Sequence, residues 1–185
     1  MKKETFFENI WKHVSIVIFS DRHLKAVVKK ATLNAGLICL AVIAAILAFP
    51  TDNASMVPST IVQNFLVVAG LLLLAEAVCF IVMRLFEAKA SFNEYLGTVN
   101  SALLMSVVVV SIPIAIVSML IFTIILKDDN ALRLFFSMIP YYNYLVFGWA
   151  TEKVADLKEY RSTGVAVIAL VLILGANILM SFLLL

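Results

Sequence analysis

Charge is scarce in this chain: Asp, Glu, Lys and Arg make up 14% of its 185 residues, against about a quarter in an average soluble domain. Its other shortages each remove a class of chemistry. The two cysteines, Cys39 and Cys79, both fall in long apolar runs, so they read as packing residues rather than as a disulfide framework or a metal site. The two histidines, His13 and His23, stand alone and read as solvated interfacial side chains, not ligands. No Gly-rich phosphate loop or HExxH is present, acids are not paired within an apolar run, and no Ser, His and acid share a depth. The expectation is a non-enzyme with no cofactor and no metal. A net charge of +2 gives no footprint for nucleic acid.

Hydrocarbon is what the chain has in abundance: 63% of its residues are hydrophobic and the mean hydropathy is +1.06. Apolar runs near 31–49, 61–83, 101–126, 133–150 and 162–185 are each about the length that spans a bilayer as a helix. They are too long and too uniformly apolar for barrel strands, which alternate in polarity over about 10 residues. The expected fold is all-α, a polytopic integral membrane bundle of five transmembrane helices over 31–185. It is preceded by a cytoplasmic amphipathic and basic segment, 1–30. Glu8, Lys12 and His13 interrupt any signal-peptide core there, so the first span is expected to direct insertion.

Positive charge orients the bundle. Residues 1–30 carry seven Lys and Arg, Arg84 and Lys89 follow the second run, Lys127 and Arg133 flank the third turn, and Lys153, Lys158 and Arg161 precede the last. With a cytoplasmic N-terminus and five crossings, twelve positive residues lie inside and two outside. If 133–150 did not cross, the split would be nine against five, which is why five crossings are preferred. The C-terminus then ends outside. Pro50 and Pro58 bracket a polar outer loop, PTDNASMVP, Ser91 and Glu94 form a capping box, and Asp129 or Asn130 and Ser162 are expected caps of the last two helices. Asn53-Ala54-Ser55 matches a glycosylation acceptor, a three-residue pattern that carries little weight.

In TFFENIWKHVSIVIFS, residues 5–20, Phe7, Ile10, Trp11 and Val14 recur at helical spacing. Such a helix would lie in the headgroup layer as an interfacial anchor, or serve as a docking surface for a lipid or a partner's helix.

The run GLLLLAEAVCFIVM, residues 70–83, contains a carboxylate, Glu76. An ionised carboxylate at the centre of a membrane helix costs roughly 2.5 to 3.5 kcal/mol on insertion scales, so it must be hidden, paired or neutralised. At about 1.5 Å per residue, Glu76 and the polar stretch IPYYNY (139–144) reach a shared depth. Tyr142, Asn143 and Tyr144 are therefore its expected partners. Ser106 and Ser111 bracket that depth on the third run, with Pro113 just beyond as a kink. These seven residues make up a candidate polar intramembrane pocket. Asn34, Asn64, Asn100 and Asn177 read instead as scattered interhelical packing contacts, and Arg84 as a side chain reaching the cytoplasmic headgroups. Glu76 is either a structural carboxyl or a proton- or substrate-handling group. The missing second acid or base for a relay favours structure.

Several stretches together resemble the Ypt-interacting (Yip) family of five-span membrane proteins. They are the basic amphipathic N-terminus, FEAKASFNEYLGTVNSALL (86–104), SVVVVSIPIAIVSML (106–120), WATEKVADLKEYRST (149–163) and the apolar end. The resemblance covers about residues 25–185 and implies a helical domain in an endomembrane or bacterial inner membrane. Eukaryotic relatives associate with prenylated Rab GTPases. This chain lacks their long cytosolic N-terminal region and DLYGP-type motif, so it looks like a short bacterial-type member, and no functional residue carries over. The function expected is organisation of protein partners or lipids in the inner membrane. The alternative is a small transporter or permeation subunit centred on Glu76, for which a homo-oligomer could supply the pathway.

Overall fold

A computed structural model describes residues 32–47, 58–127, 129–157 and 159–183, together with Ser20 and Leu24. All regular structure among them is helical, in five helices: α1 Leu33–Leu47, α2 Pro58–Leu85, α3 Phe92–Leu126, α4 Asp129–Ala155 and α5 Glu159–Leu183. The expected anchor residues Phe7, Ile10, Trp11 and Val14 lie outside the described residues.

Local chemistry explains most of the boundaries. Pro58 opens α2, where a missing N–H leaves no bond unmade. Ser91 and Glu94 form the expected capping box: the Ser91 hydroxyl accepts from the Glu94 N–H at 3.3 Å, and the Glu94 carboxylate accepts from the Ser91 N–H at 2.8 Å. This box starts α3 nine residues ahead of the apolar run at 101. Two expected caps are corrected. Asp129 is already the first residue of α4, and Ser162 lies within the first turn of α5, buried. The connections turn on non-glycine residues in the left-handed region, Glu87 (φ 69°), Lys127 (φ 52°) and Asp156 (φ 46°), a consequence of the chain's few glycines.

The helix α3 is irregular. Its α-helical start gives way to a π-helical segment at Val107–Ser111, returns to α geometry over Ile112–Met119 and ends in a second π segment at Leu120–Leu126. Pro113 explains the first change. A proline ring clashes with the carbonyl four residues back and offers no N–H to it. A wider turn just ahead of it, in which the Ile112 N–H reaches the Val107 carbonyl, takes up that misfit.

The helices close into a ring. α1 packs between α2 and α3, α3 continues onto α4, α4 onto α5, and α5 returns to α2. α2 and α3, although consecutive in sequence, are second neighbours whose backbones stay apart. They touch near their shared loop, where Phe80 meets Phe92 edge-on at 5.1 Å. Backbones come closest at the α1–α3 crossing, where a Cβ on Gly36 would sit 2.8 Å from the backbone of Leu96 and Gly97. Ser101, one turn beyond Gly97, lies beside Cys39 there. Small residues at this spacing let two helices approach closely without lipid being trapped between them.

Apolar side chains lie on the outside of the bundle as well as in its core, and several polar ones are buried. Glu76, Thr98, Asn100, Ser106 and Thr151 are buried, whereas Ile38, Leu66, Leu74, Ile81, Ile124, Ile125 and Val171 are exposed. Two helices, Ser59–Leu85 and Phe92–Leu126, are long and apolar enough to cross a membrane, and shorter apolar helices cover Leu33–Ile46 and Tyr160–Ala176.

Gly36→Ala must force α1 from α3 and should lower stability in detergent by roughly 1 to 3 kcal/mol, the usual cost of overpacking. Gly70→Ala, with nothing within 4 Å of its Cβ, should be neutral or stabilising by up to about 1 kcal/mol. Thermal unfolding of both purified variants checks this, and equal effects would remove the close crossing as a determinant.

Candidate functional site

Glu76 has no exposed surface. The donor that reaches it is Asn100, whose Nδ2 lies 3.2 Å from Glu76 Oε2. This corrects the expected pairing with Tyr142, Asn143 and Tyr144. Those residues sit on α4, which is not a neighbour of α2 in the ring, whereas the α2–α3 hairpin brings Asn100 to the right depth. Glu76 lies nine residues before the end of α2 at Leu85, and Asn100 eight residues after the start of α3 at Phe92. Each is therefore about 12 to 14 Å along its helix from the same loop. Measuring depth from that loop, rather than from the outer ends of α2 and α4, would have found the pair in the sequence.

The loop holds the register in several ways. Ala88 N–H reaches back to the Met83 carbonyl at 3.0 Å, and Arg84 Nη1 donates to the Ala88 carbonyl at 3.0 Å. Arg84 also lies over the Phe80 ring, 5.8 Å from its centroid. It is thus tied to the loop rather than simply extended towards headgroups. Glu87 pairs at 2.8 Å with Arg161, at the start of α5. Both side chains are exposed, so the contact contributes little energy, but it does mark where α5 meets the loop.

Further polar groups gather towards the loop end. Tyr95 is fully buried, with its hydroxyl beside the Cys79 thiol of α2 and the Thr151 hydroxyl of α4, and within electrostatic range of Glu76. It meets neither neighbour in good hydrogen-bond geometry. Glu76 Oε1, Asn100 Oδ1 and Thr151 Oγ1 are likewise buried without a hydrogen-bond partner. Groups of this kind are few in native proteins, and each such atom costs about 1 to 3 kcal/mol.

A second polar contact forms nearer the middle of α3. Asn143 Oδ1 accepts from Ser106 Oγ at 2.5 Å and from Ser111 Oγ at 3.0 Å. In a regular α-helix two residues five apart point about 140° from each other. The π turn at Val107–Ser111 closes after five residues instead, bringing both hydroxyls to one face. Tyr144 is buried and Tyr142 half-buried against the core, while Pro113 is on an exposed face and lines no pocket. The seven expected residues therefore divide. Ser106, Ser111 and Asn143 come together, Glu76 joins Asn100 and Tyr95 instead, and Pro113 acts through the helix backbone.

The five described helices thus define an all-helical bundle with a polar cluster in its interior. Compared with known protein families, with curated proteins and with solved structures, the chain finds no match. Its resemblance to the Yip family stands on the sequence features alone.

Serines in this bundle can donate to their own helix, as Ser101 and Ser118 do with carbonyls four residues back, both at 2.6 Å. Asn143→Leu should release Ser106 and Ser111 to the same fallback, and so cost only about 1 kcal/mol for two interhelical bonds. A double-mutant cycle with Ser106→Ala checks it. Strict additivity of the two changes would mean that the contact contributes nothing.

Proposed function

We propose that the chain is a five-span integral protein of a bacterial inner membrane, with its N-terminus cytoplasmic and its C-terminus outside. It organises membrane protein partners or lipids and performs no catalysis. The observation that carries this reading is a bundle apolar on its outward faces that buries its carboxylate, Glu76, inside. Only in hydrocarbon is that arrangement favourable, because there the exposed leucines and isoleucines cost nothing and the carboxylate must hide.

Charge supports the orientation. Lys89 lies in the α2–α3 loop and Lys158 in the α4–α5 connection, with Lys153 and Arg161 in the helix turns on either side of it, whereas the loop 50–60 carries no Lys or Arg. The second half of α3 supports the organising role. Ile116, Val117, Met119, Leu120, Ile124, Ile125 and Leu126 are all exposed, a continuous sideways surface for lipid or another membrane helix. Packing between membrane helices comes from shape and small polar contacts rather than from hydrophobicity, and so such a face can take up partners reversibly.

A second reading, a small permeation subunit using Glu76, draws on the buried carboxylate with its unpaired Oε1. Against it stands the absence of a detectable internal repeat in these 185 residues.

With Cys39 and Cys79 replaced, an impermeant maleimide applied to intact cells should label Ala54→Cys and Lys127→Cys but spare Lys89→Cys and Asp156→Cys until the membrane is opened. Labelling of position 89 from outside would overturn the orientation. Reconstituted vesicles should show no flux that depends on Glu76, while crosslinkers placed at Ile116 or Ile124 should capture membrane partners or lipids. A pH-dependent flux abolished by Glu76→Gln would instead establish the permeation reading.

A further inference from the structure

The cluster around Glu76 contains several polar atoms left without a hydrogen bond among the described residues. Glu76 Oε1 and Asn100 Oδ1 are buried acceptors without a donor, and neither the Tyr95 hydroxyl, within electrostatic range of Glu76, nor the Thr151 hydroxyl beside Tyr95 makes a hydrogen bond of good geometry. A carboxylate oxygen and an amide carbonyl oxygen only accept, whereas a hydroxyl can turn its lone pairs towards whatever lies between. All four atoms therefore suit one kind of occupant, a positive centre that seeks oxygen.

Charge points the same way. The titratable neighbours of Glu76 are Cys79 on its own helix and Tyr95 on α3, and either could add only negative charge. Among the described residues the ion pairs recorded lie elsewhere, Lys153 with Glu152 and Arg161 with Glu87. Among the described residues no side chain supplies a countercharge to Glu76. A water molecule could donate to both acceptors yet would leave the charge. A proton would remove the charge and satisfy one oxygen, leaving the amide oxygen and both hydroxyls.

We propose that Glu76, Asn100, Tyr95 and Thr151 form a binding site for one monovalent alkali cation, set inside the helix ring where α2, α3 and α4 converge. The class follows from the donors. Oxygen-only ligands select hard cations, and no group of three or more His, Cys, Asp or Glu able to hold a transition metal exists among the described residues. A single carboxylate balances a single charge and would leave the second charge of a calcium or magnesium ion uncompensated. The cation would join helices that are not all neighbours around the ring, fixing their relative positions. This role does not depend on the organising function, because binding is read on the isolated protein.

The test uses the full chain purified in detergent, at fixed pH and ionic strength, with sodium chloride exchanged for choline chloride. Radioactive sodium should bind saturably, approaching one ion per chain, and melting temperature should rise with sodium concentration as expected for a ligand of the folded state. Glu76→Gln and Asn100→Ala should each weaken sodium binding by about tenfold or more, and Ser106→Ala should leave it unchanged. If Glu76→Gln fails to fold, Thr151→Val, which keeps the shape and removes the oxygen, provides the comparison and should weaken binding measurably. Equal stability in sodium and choline with no saturable binding would overturn the proposal in favour of a protonated or hydrated carboxyl. Equal stabilisation of wild type and Glu76→Gln by sodium would overturn it as a general salt effect.

Discussion

The hydrogen bond from Asn100 to Glu76 joins two helices that do not run side by side, and much of the architecture is needed to bring its ends together. Register comes from the short α2–α3 loop, closed by the Ser91–Glu94 box on one side and by the Arg84 and Met83 contacts to Ala88 on the other. Distance is set by α1. This helix lies between α2 and α3, and it lies close because Gly36 passes over the backbone at Gly97 with no side chain in the way. Moving α1 outward would widen the gap that a single carboxylate side chain now spans. A polar contact deep in the bundle thus depends on an absent methyl group where α1 crosses α3.

The two halves of α3 do different work. From Phe92 to Ser106 the helix is buried between α1 and α4 and contributes Tyr95, Leu96, Val99, Asn100 and Leu103 to the interior. Beyond Ser111 it is largely exposed and apolar. The π turn between them reconciles the halves, since it accommodates Pro113 and rotates Ser111 into line with Ser106 so that one asparagine oxygen serves both. Proline, irregular turn and cross-helix contact are therefore one device, and removing any part alters the other two.

The helices were legible in the sequence because apolar runs and capping residues are local signals. Five runs coincide with five helices to within a few residues, apart from α3, which its capping box starts early, and the α4 and α5 starts, where the expected caps are already inside the helix. The neighbour order around the ring was not legible. Amphipathic helices advertise which face is inward, but these are apolar nearly all round, so periodicity carries little information about who packs against whom. For that reason Glu76 was matched with α4 by depth, although α2 packs on α1 and α5. Asn100 looked like one of several scattered asparagines until the hairpin register gave it a partner. The contact of Ser106 and Ser111 with Asn143 was approached correctly by depth and chemistry, but the π turn that permits both bonds at once could not be read from VVVVS.

The placement of polarity along the bundle also bears on what it can do. Measured from the α2–α3 loop, Tyr95, Asn100, Glu76 and Thr151 occupy the loop end of the bundle, and the serines bound to Asn143 come next. Farther along α3 the buried polar side chain is Ser118, and its hydroxyl is already committed to the Ile114 carbonyl of its own helix. A route for ions or polar solutes needs groups that replace water over its whole length, since each step through hydrocarbon without them is costly. Here the described polar groups stop partway. A cluster that ends inside the bundle can bind and hold, and through the helices it joins it can set the shape of the apolar surface that faces the membrane. That geometry ties the outer form of the described bundle to the polar contacts in its interior.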